Sequence, residues 1–258
     1  MLDFLHRPAS VRFREPRRPL KRHTSLLLDG RRYGVLVSEN SRTRRLTLRL
    51  LPQPKGDDAF KVTVPPDTPL AEIETFLERH REWAAEQVAG RPEPTVIEDG
   101  AILPVRGVPT RIVHAGPGRG LTKLAETAEG EAALFVHGDP AHVARRVTDF
   151  LKREAKRDLS QAVAHHAGAL GVVPRSITVR DTVSRWGSCS TTGALNFSWR
   201  IVLAPPDVLD YLAAHEVAHL REMNHSDRFW ALVERLKPGM DAQRRWLREH
   251  GATLHAVG

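Results

Sequence analysis

The sequence predicts an α+β protein: a strand-rich unit with one helix, then a unit in which a small sheet leads into a helix carrying His215-Glu216-Val217-Ala218-His219. Three observations predict this. Short stretches of β-type residues, separated by Gly and Pro, occupy the chain as far as about residue 138. From Asp139 the apolar spacing changes to the three-and-four step of helices. The last third then places two histidines four residues apart, a spacing that puts both on one helix face.

Residues 1–22 read as a basic arm, with Arg7, Arg12, Arg14, Arg17, Arg18, Lys21 and Arg22. Residues 23–138 form the strand-rich unit. Segments 32–37 and 45–51 carry β-type residues with partial alternation, and 60–64 is a further strand before Pro65-Pro66. Asp67 or Thr68 is placed to cap a helix over 70–89, on which Ile73, Phe76, Leu77, Trp83 and Val88 approximate one apolar face. Strands follow at 101–103, 110–114 and 133–137. Between them, Gly116-Pro117-Gly118-Arg119-Gly120 is a turn, since it lacks the lysine and the serine or threonine of a P-loop. The sequence displays no internal repeat or heptad array.

Residues 139–258 form the second unit. Asp139 and Pro140 suit the N-cap and first position of a helix whose Val143, Val147, Phe150, Leu151, Leu159 and Val163 continue towards Gly168. A strand at 176–180, a polar loop containing Arg185-Trp186-Gly187-Ser188-Cys189 and a strand at 194–202 deliver the chain to the histidine helix. Pro205-Pro206 end the preceding element, and Asp207, with Asp210 three residues on, predicts a helix start near Val208. The helical pattern stops near Met223. Asn224 tolerates the left-handed conformation of a C-terminal cap, a turn that brings His225 back towards His215 and His219. Ser226 caps a helix through Leu236, and a last helix runs from about Asp241 to His250.

The chemistry this pattern suits is metal-assisted hydrolysis. His215 and His219 can aim imidazole nitrogens at one tetrahedral Zn2+, one ion per chain, with His225 as the third ligand. Glu216 projects from the adjoining edge, where a carboxylate can take a proton from water made acidic by the ion. Glu222 or Glu234 could replace His225 as a carboxylate ligand; otherwise Glu222, seven residues after His215, is a candidate acceptor that orients a ligand. Arg185 is a candidate for stabilising an oxyanion, against a loop-ordering salt bridge as its simpler role. Tyr211, one turn before His215, is a candidate for contacting a substrate carbonyl, against core packing. Cys189 is disfavoured as a ligand, because a catalytic ion keeps a position open for water. His165-His166 and His250 have no partner pattern and read as surface or capping histidines.

The runs Ser184-Arg185-Trp186-Gly187-Ser188-Cys189, Leu195-Asn196-Phe197-Ser198-Trp199-Arg200, Ala204-Pro205-Pro206, Asp210-Tyr211, His215-Glu216-Val217-Ala218-His219-Leu220 and Asn224-His225-Ser226 with Phe229-Trp230 resemble the YgjP-like family of metal-dependent hydrolases. These are zincin-type metallopeptidase domains, with a more distant likeness to SprT-like and WLM proteases. The match is ordered over about 140–250 and looser upstream, where Leu46-Thr47-Leu48-Arg49 and the helix bearing Phe76 and Trp83 fit the layout. The resemblance implies a zincin-like catalytic unit acting on a peptide or protein, with His215, His219 and His225 as zinc ligands and Glu216 as catalyst. The His215-to-His225 spacing also equals that of metzincins. Glu222, however, stands where that motif has its glycine, and the only later methionine is Met240, so the broader zincin label is retained.

At 258 residues and 41% hydrophobic, the chain can bury a sizeable core in two units. A single cysteine excludes an internal disulfide framework, and no apolar run reads as a membrane span or secretory leader. A cytoplasmic protein without membrane partners is expected. Residues 1–50 carry thirteen Lys or Arg against four Asp or Glu, a balance of +9, and the remainder sums to about −1, so the formal +8 resides in the N-terminal fifth. Such a cluster can hold phosphates, which makes a nucleic-acid-associated protease or hydrolase the second reading, although no aromatic stacking motif is interleaved with it and Tyr33 alone is not enough. A non-catalytic, structural zinc domain is the third reading; Glu216 and the lack of four evident ligands oppose it. A substrate peptide is expected to add to an edge at 195–202.

Overall fold

The computed structural model describes residues 21–55, 58–182 and 185–258. Most of the basic arm (1–20), and Ser184 of the loop motif, lie outside the described residues. The chain divides into two compact units, Met1–Gly90 and Arg91–Gly258.

In the first unit, β1 (Lys21–Leu28), β2 (Arg31–Glu39), β3 (Thr47–Lys55) and β4 (Asp58–Val64) form a sheet in the order β1-β2-β4-β3. β2 and β4 are parallel and the outer pairs antiparallel. Asp29-Gly30 turns the first hairpin with both residues at positive φ, as a tight two-residue hairpin requires. Two helices, α1 (Leu70–Arg79) and α2 (Arg81–Ala89), bury Ile73, Leu77 and Ala84 in one core with Val35, Phe60 and Val62. The single helix expected over 70–89 is interrupted at His80, whose Nδ1–H donates to the Phe76 carbonyl at 2.8 Å. Neither predicted cap is used: Asp67 has φ 60°, Thr68 donates its hydroxyl to the Pro65 carbonyl, and Pro69 occupies the N-cap.

The second unit begins with β5 (Ile102–Val105), β6 (Val108–His114), β7 (Lys123–Glu126) and β8 (Ala132–Val136), in the order β5-β6-β8-β7 with β6 and β8 parallel. Its topology repeats that of the first sheet, although the sequence shows no repeat: the strands are short, β1 and β7 lack a clear pattern, and the equivalent hairpin turn is Arg106-Gly107. Sequence patterning placed 101–137 with the first sheet. The structure moves that boundary to Gly90, because Leu103, Ile112, Leu134 and Val136 share a core with α3 (Val143–Leu170). Asp139 caps the entry as expected, accepting from the Ala141 N–H at 2.9 Å. The helix runs past Gly168 to left-handed Gly171, where the Val172 N–H closes on the Ala167 carbonyl at 3.0 Å.

Three strands, β9 (Ser176–Arg180), β10 (Gly187–Cys189) and β11 (Ala194–Ser198), form the sheet beside the site, in the order β10-β11-β9. Residues 187–189, read from sequence as polar loop, are thus a strand. The strand expected to continue to 202 ends at Ser198 in a buried 3-10 turn, Trp199–Leu203. β11 is central and paired on both sides, so among the described residues the outer strands are β10 and β9, and of these β10 carries Gly187 against Glu216.

Three helices complete the unit: α4 (Pro206–Ala218), α5 (Asp227–Leu236) and α6 (Asp241–His255). α4 starts two residues earlier than an Asp207 cap predicts, with Pro206 at its first position. Asp207 and Asp210 instead accept from Lys237 Nζ at 3.1 and 2.9 Å, tying the end of α5 to the start of α4. Asp210 also lies 2.7 Å from Nε2 of His166, which is 2% exposed and so not a surface histidine. Among the described residues no helix is long and apolar enough to cross a membrane.

Burial alone would raise the Asp210 pKa, but hydrogen bonds from His166 and Lys237 and their charges hold it at about 2. That is below the unfolded value, so the contribution to stability is present above about pH 4 and lost as pH falls through about 2. Asp210 is partly exposed, so the discounted contribution is about 1 kcal/mol. Asp210→Asn should lower the thermal midpoint at pH 7 and flatten the decline between about pH 4 and pH 2 relative to the parent, as read by circular dichroism melts.

Candidate metal centre

His215 lies in the last turn of α4, and His219 is the residue that caps it. The helix stops at Ala218 rather than near Met223. Main-chain bonds from Leu220 to Val217 and from Arg221 and Glu222 to Ala218 turn the chain sharply, and Ser226 N–H returns to the Asn224 carbonyl at 2.8 Å. Asn224 does not take the expected left-handed conformation; the tight turn does that work. Ser226 then starts α5 as predicted, its hydroxyl accepting from Phe229 N–H at 3.4 Å, which sets His225 just before the new helix.

The result is convergence. His215, His219 and His225 each offer a ligand atom within 4.8 Å of the others, and Nε2 of His225 is 3.2 Å from Nε2 of His215. Imidazole nitrogens about 2.0–2.1 Å from a tetrahedral ion are about 3.3 Å apart, so the donor set fits a divalent metal. His219 Nδ1–H donates to the Glu222 carbonyl at 3.1 Å, leaving Nε2 as its free donor. Glu222 therefore orients His219 through its main chain rather than its carboxylate. Burial, then the neighbouring imidazoles, push the His215 pKa down to about 3, and burial lowers that of His219. Both are held neutral, the form that binds metal. Glu234 is committed elsewhere, accepting from Gly239 N–H, and Cys189 is not in the cluster.

The sequence places Phe229 in the helix after Ser226 and, with Trp230, in the run that carries the family resemblance, with no role at the site. In the structure it is wholly buried, with its ring centroid 4.9, 4.4 and 4.7 Å from those of His215, His219 and His225. Trp230 stacks on His225 at 5.6 Å, and the Arg244 guanidinium lies over Trp230 at 4.3 Å. Met240 and Tyr211 pack in the same small cluster as Phe229. Tyr211 presents its ring edge to His215 at 6.0 Å, a packing role.

Glu216 is 4% exposed, and its Oε2 has no hydrogen-bond partner among the described residues. Burial raises its pKa to about 8, with the charge of Arg185 acting in the opposite direction. Its carboxyl lies so close over Gly187 that a Cβ there would collide with Oε1, Cδ and Cγ. Gly187 is in turn positioned through Trp186, which stacks on His255 at 3.8 Å and passes so near Gly251 that a Cβ would come within 3.0 Å of its indole nitrogen. Both partners lie on the last part of α6, where the sequence reading ended the helix at His250. Arg185 itself is exposed and makes no ion pair among the described residues, so the expected loop salt bridge is not formed.

The family description "YgjP-like, metallopeptidase domain" matches residues 44–250. The chain belongs to the YgjP-like family. Membership makes it a metal-dependent peptidase at the level of the family, and the match reaches upstream into the first unit. Among solved structures, the YgjP-like chain is similar to the crystal structure of the metallopeptidase zymogen of Pyrococcus abyssi abylysin, with 21% identity and a TM-score of 0.33, over 35% of this chain and 93% of that one. No curated protein matches.

Protein purified without chelators should carry about one equivalent of metal, and a His215→Ala, His219→Ala double variant none, by elemental mass spectrometry. Phe229→Leu, which keeps an apolar residue but removes the ring seat, should weaken metal binding about tenfold in a competitive chelator titration.

Proposed function

We propose that this chain is a zinc-dependent cytoplasmic peptidase with a zincin-like catalytic unit, its single ion held by His215, His219 and His225 and its general base supplied by Glu216. The observation that carries this reading is the convergence of three imidazoles, two of them borne by the helix segment that also buries Glu216. Three nitrogen donors suit a catalytic zinc better than a structural one, which takes four protein ligands. When bound, the ion supplies Lewis acidity towards a substrate carbonyl and towards water.

The chain's own groups do the rest. The open edge of β10 pairs with an extended peptide and sets a carbonyl beside Gly187, under which Glu216 lies. Glu216 accepts the proton of the attacking water and returns it to the departing amine. Its raised proton affinity, caused by burial, is in the range where one group can do both near neutral pH. Burial also keeps bulk water from solvating the carboxylate.

The charge concentrated in residues 1–50 favours a second reading, in which the same hydrolase acts in association with nucleic acid. Deletion of residues 1–22 should then weaken DNA or RNA binding and reduce its salt dependence; unchanged binding would remove this reading.

Glu216→Gln should retain the metal and lose at least about a thousandfold in kcat on a cleaved peptide, and undiminished turnover would refute its role. Gly187→Ala should also keep the metal, while the displaced carboxylate lowers kcat by about a hundredfold.

A further inference from the structure

We infer that the outer face of the three-stranded sheet, beside the open edge of β10, holds a subsite for an acidic side chain of the substrate peptide, with Arg180 and Arg185 as its cations. The inference rests on the peptidase reading and adds to it a class of substrate.

The alternation of the sheet separates two faces. Leu195 and Phe197 of β11 are buried, and their partners on β10 are Cys189 and Gly187, the residue that touches Glu216. Ser188 and its partner Asn196 point the other way. A cavity of about 400 Å³ at this edge is lined by Ser188 and Asn196 together with Arg180, Thr182, Arg185 and Trp186, and it also takes in Gly187 and Phe197. A peptide paired with β10 directs the side chain opposite Ser188 to this outer face, and its neighbours to the face of Glu216. The subsite residue is therefore within about two positions of the cleaved bond.

The cavity is built to receive a negative charge. Arg180 Nε donates to Asn196 Oδ1 at 2.8 Å, which fixes the guanidinium and leaves its terminal nitrogens to bind a carboxylate. The hydroxyl of Thr182 donates to the Arg185 carbonyl at 3.0 Å, bracing the loop that carries the second arginine. Asp181, the acidic residue nearest in sequence, is turned away and engaged by Arg200, Lys152 and the Trp199 indole. Among the described residues neither Arg180 nor Arg185 forms an ion pair. The charge of Arg185 also acts on Glu216, but two arginines without an ion-paired carboxylate among the described residues, at the edge of a substrate strand, are complementary to Asp or Glu.

The test uses zinc-loaded, full-length protein carrying Glu216→Gln, so that binding is read without turnover. The probes are blocked alanine-based hexapeptides with one Glu at each internal position in turn, each with a Gln twin. Binding is followed by calorimetry and by the fluorescence of Trp186, with Trp186→Phe as the control for the origin of the signal. At least one Glu peptide should bind about tenfold more tightly than its twin at low salt, and an added Arg180→Gln, Arg185→Gln pair should erase the difference. Equal binding of every pair, failure to bind any probe, or a preference that survives the double substitution would overturn the subsite. The parent enzyme is then given the same peptides: selective binding without cleavage of any would count against the peptidase reading while leaving the anionic site in place.

Discussion

Three imidazoles share one phenylalanine ring, and most of the second unit serves that arrangement. Phe229 is fixed because α5 begins two residues after His225, and α5 can begin there because Ser226 caps it. α4 must therefore end early, at Ala218, so that His219 leaves the helix while still facing His215. The turn between the helices is short, and its main-chain carbonyls are not idle: that of Glu222 orients His219. Burial beside this ring also disfavours protonation of His215 and His219, which keeps them in the form that binds metal. Helix capping and metal affinity are thus coupled through one buried ring.

The carboxyl of Glu216 depends on a different chain of contacts. Burying its Oε2 without a partner among the described residues is unfavourable, and the carboxyl sits where Gly187 leaves room for it and no side chain could. Gly187 is held by its pairing to Phe197, and the adjacent Trp186 is clamped by the end of α6. Arg200, buried against Trp199, reaches both Asp181 before β10 and the Val257 carbonyl after α6. Segments far apart in sequence therefore converge on the distance between one glycine and one carboxylate. Such a group, costly to stability and placed by several elements, is what a site adapted for proton transfer requires.

Legibility in the sequence followed the range of the interactions. β9 at 176–180 and α5 from its Ser226 cap to Leu236 were readable, because alternation and a side-chain cap are local signals. The break at His80 was not: the apolar spacing in the sequence runs on across it, whereas in the structure Trp83 is exposed and the histidine side chain closes on the Phe76 carbonyl. β10 has no apolar alternation at all, and it is a strand because β11 offers it a partner. The matching topology of the two four-stranded sheets was equally hidden, since pairing order leaves no trace in strands of four to nine residues.

By itself, the sequence determined the class of chemistry. Two histidines and a glutamate at helical spacing, with a histidine after a short turn, already limit what the chain can do, because ligand type and spacing are covalent properties. Tertiary structure alone decided which partner each group has. It made Phe229 the shared neighbour of three histidines, Gly187 the clearance for Glu216, β10 an outer strand, and His166 a buried tie between α3 and α4. Those roles depend on residues brought together from distant parts of the chain, and burial and close approach exist only once the core has formed.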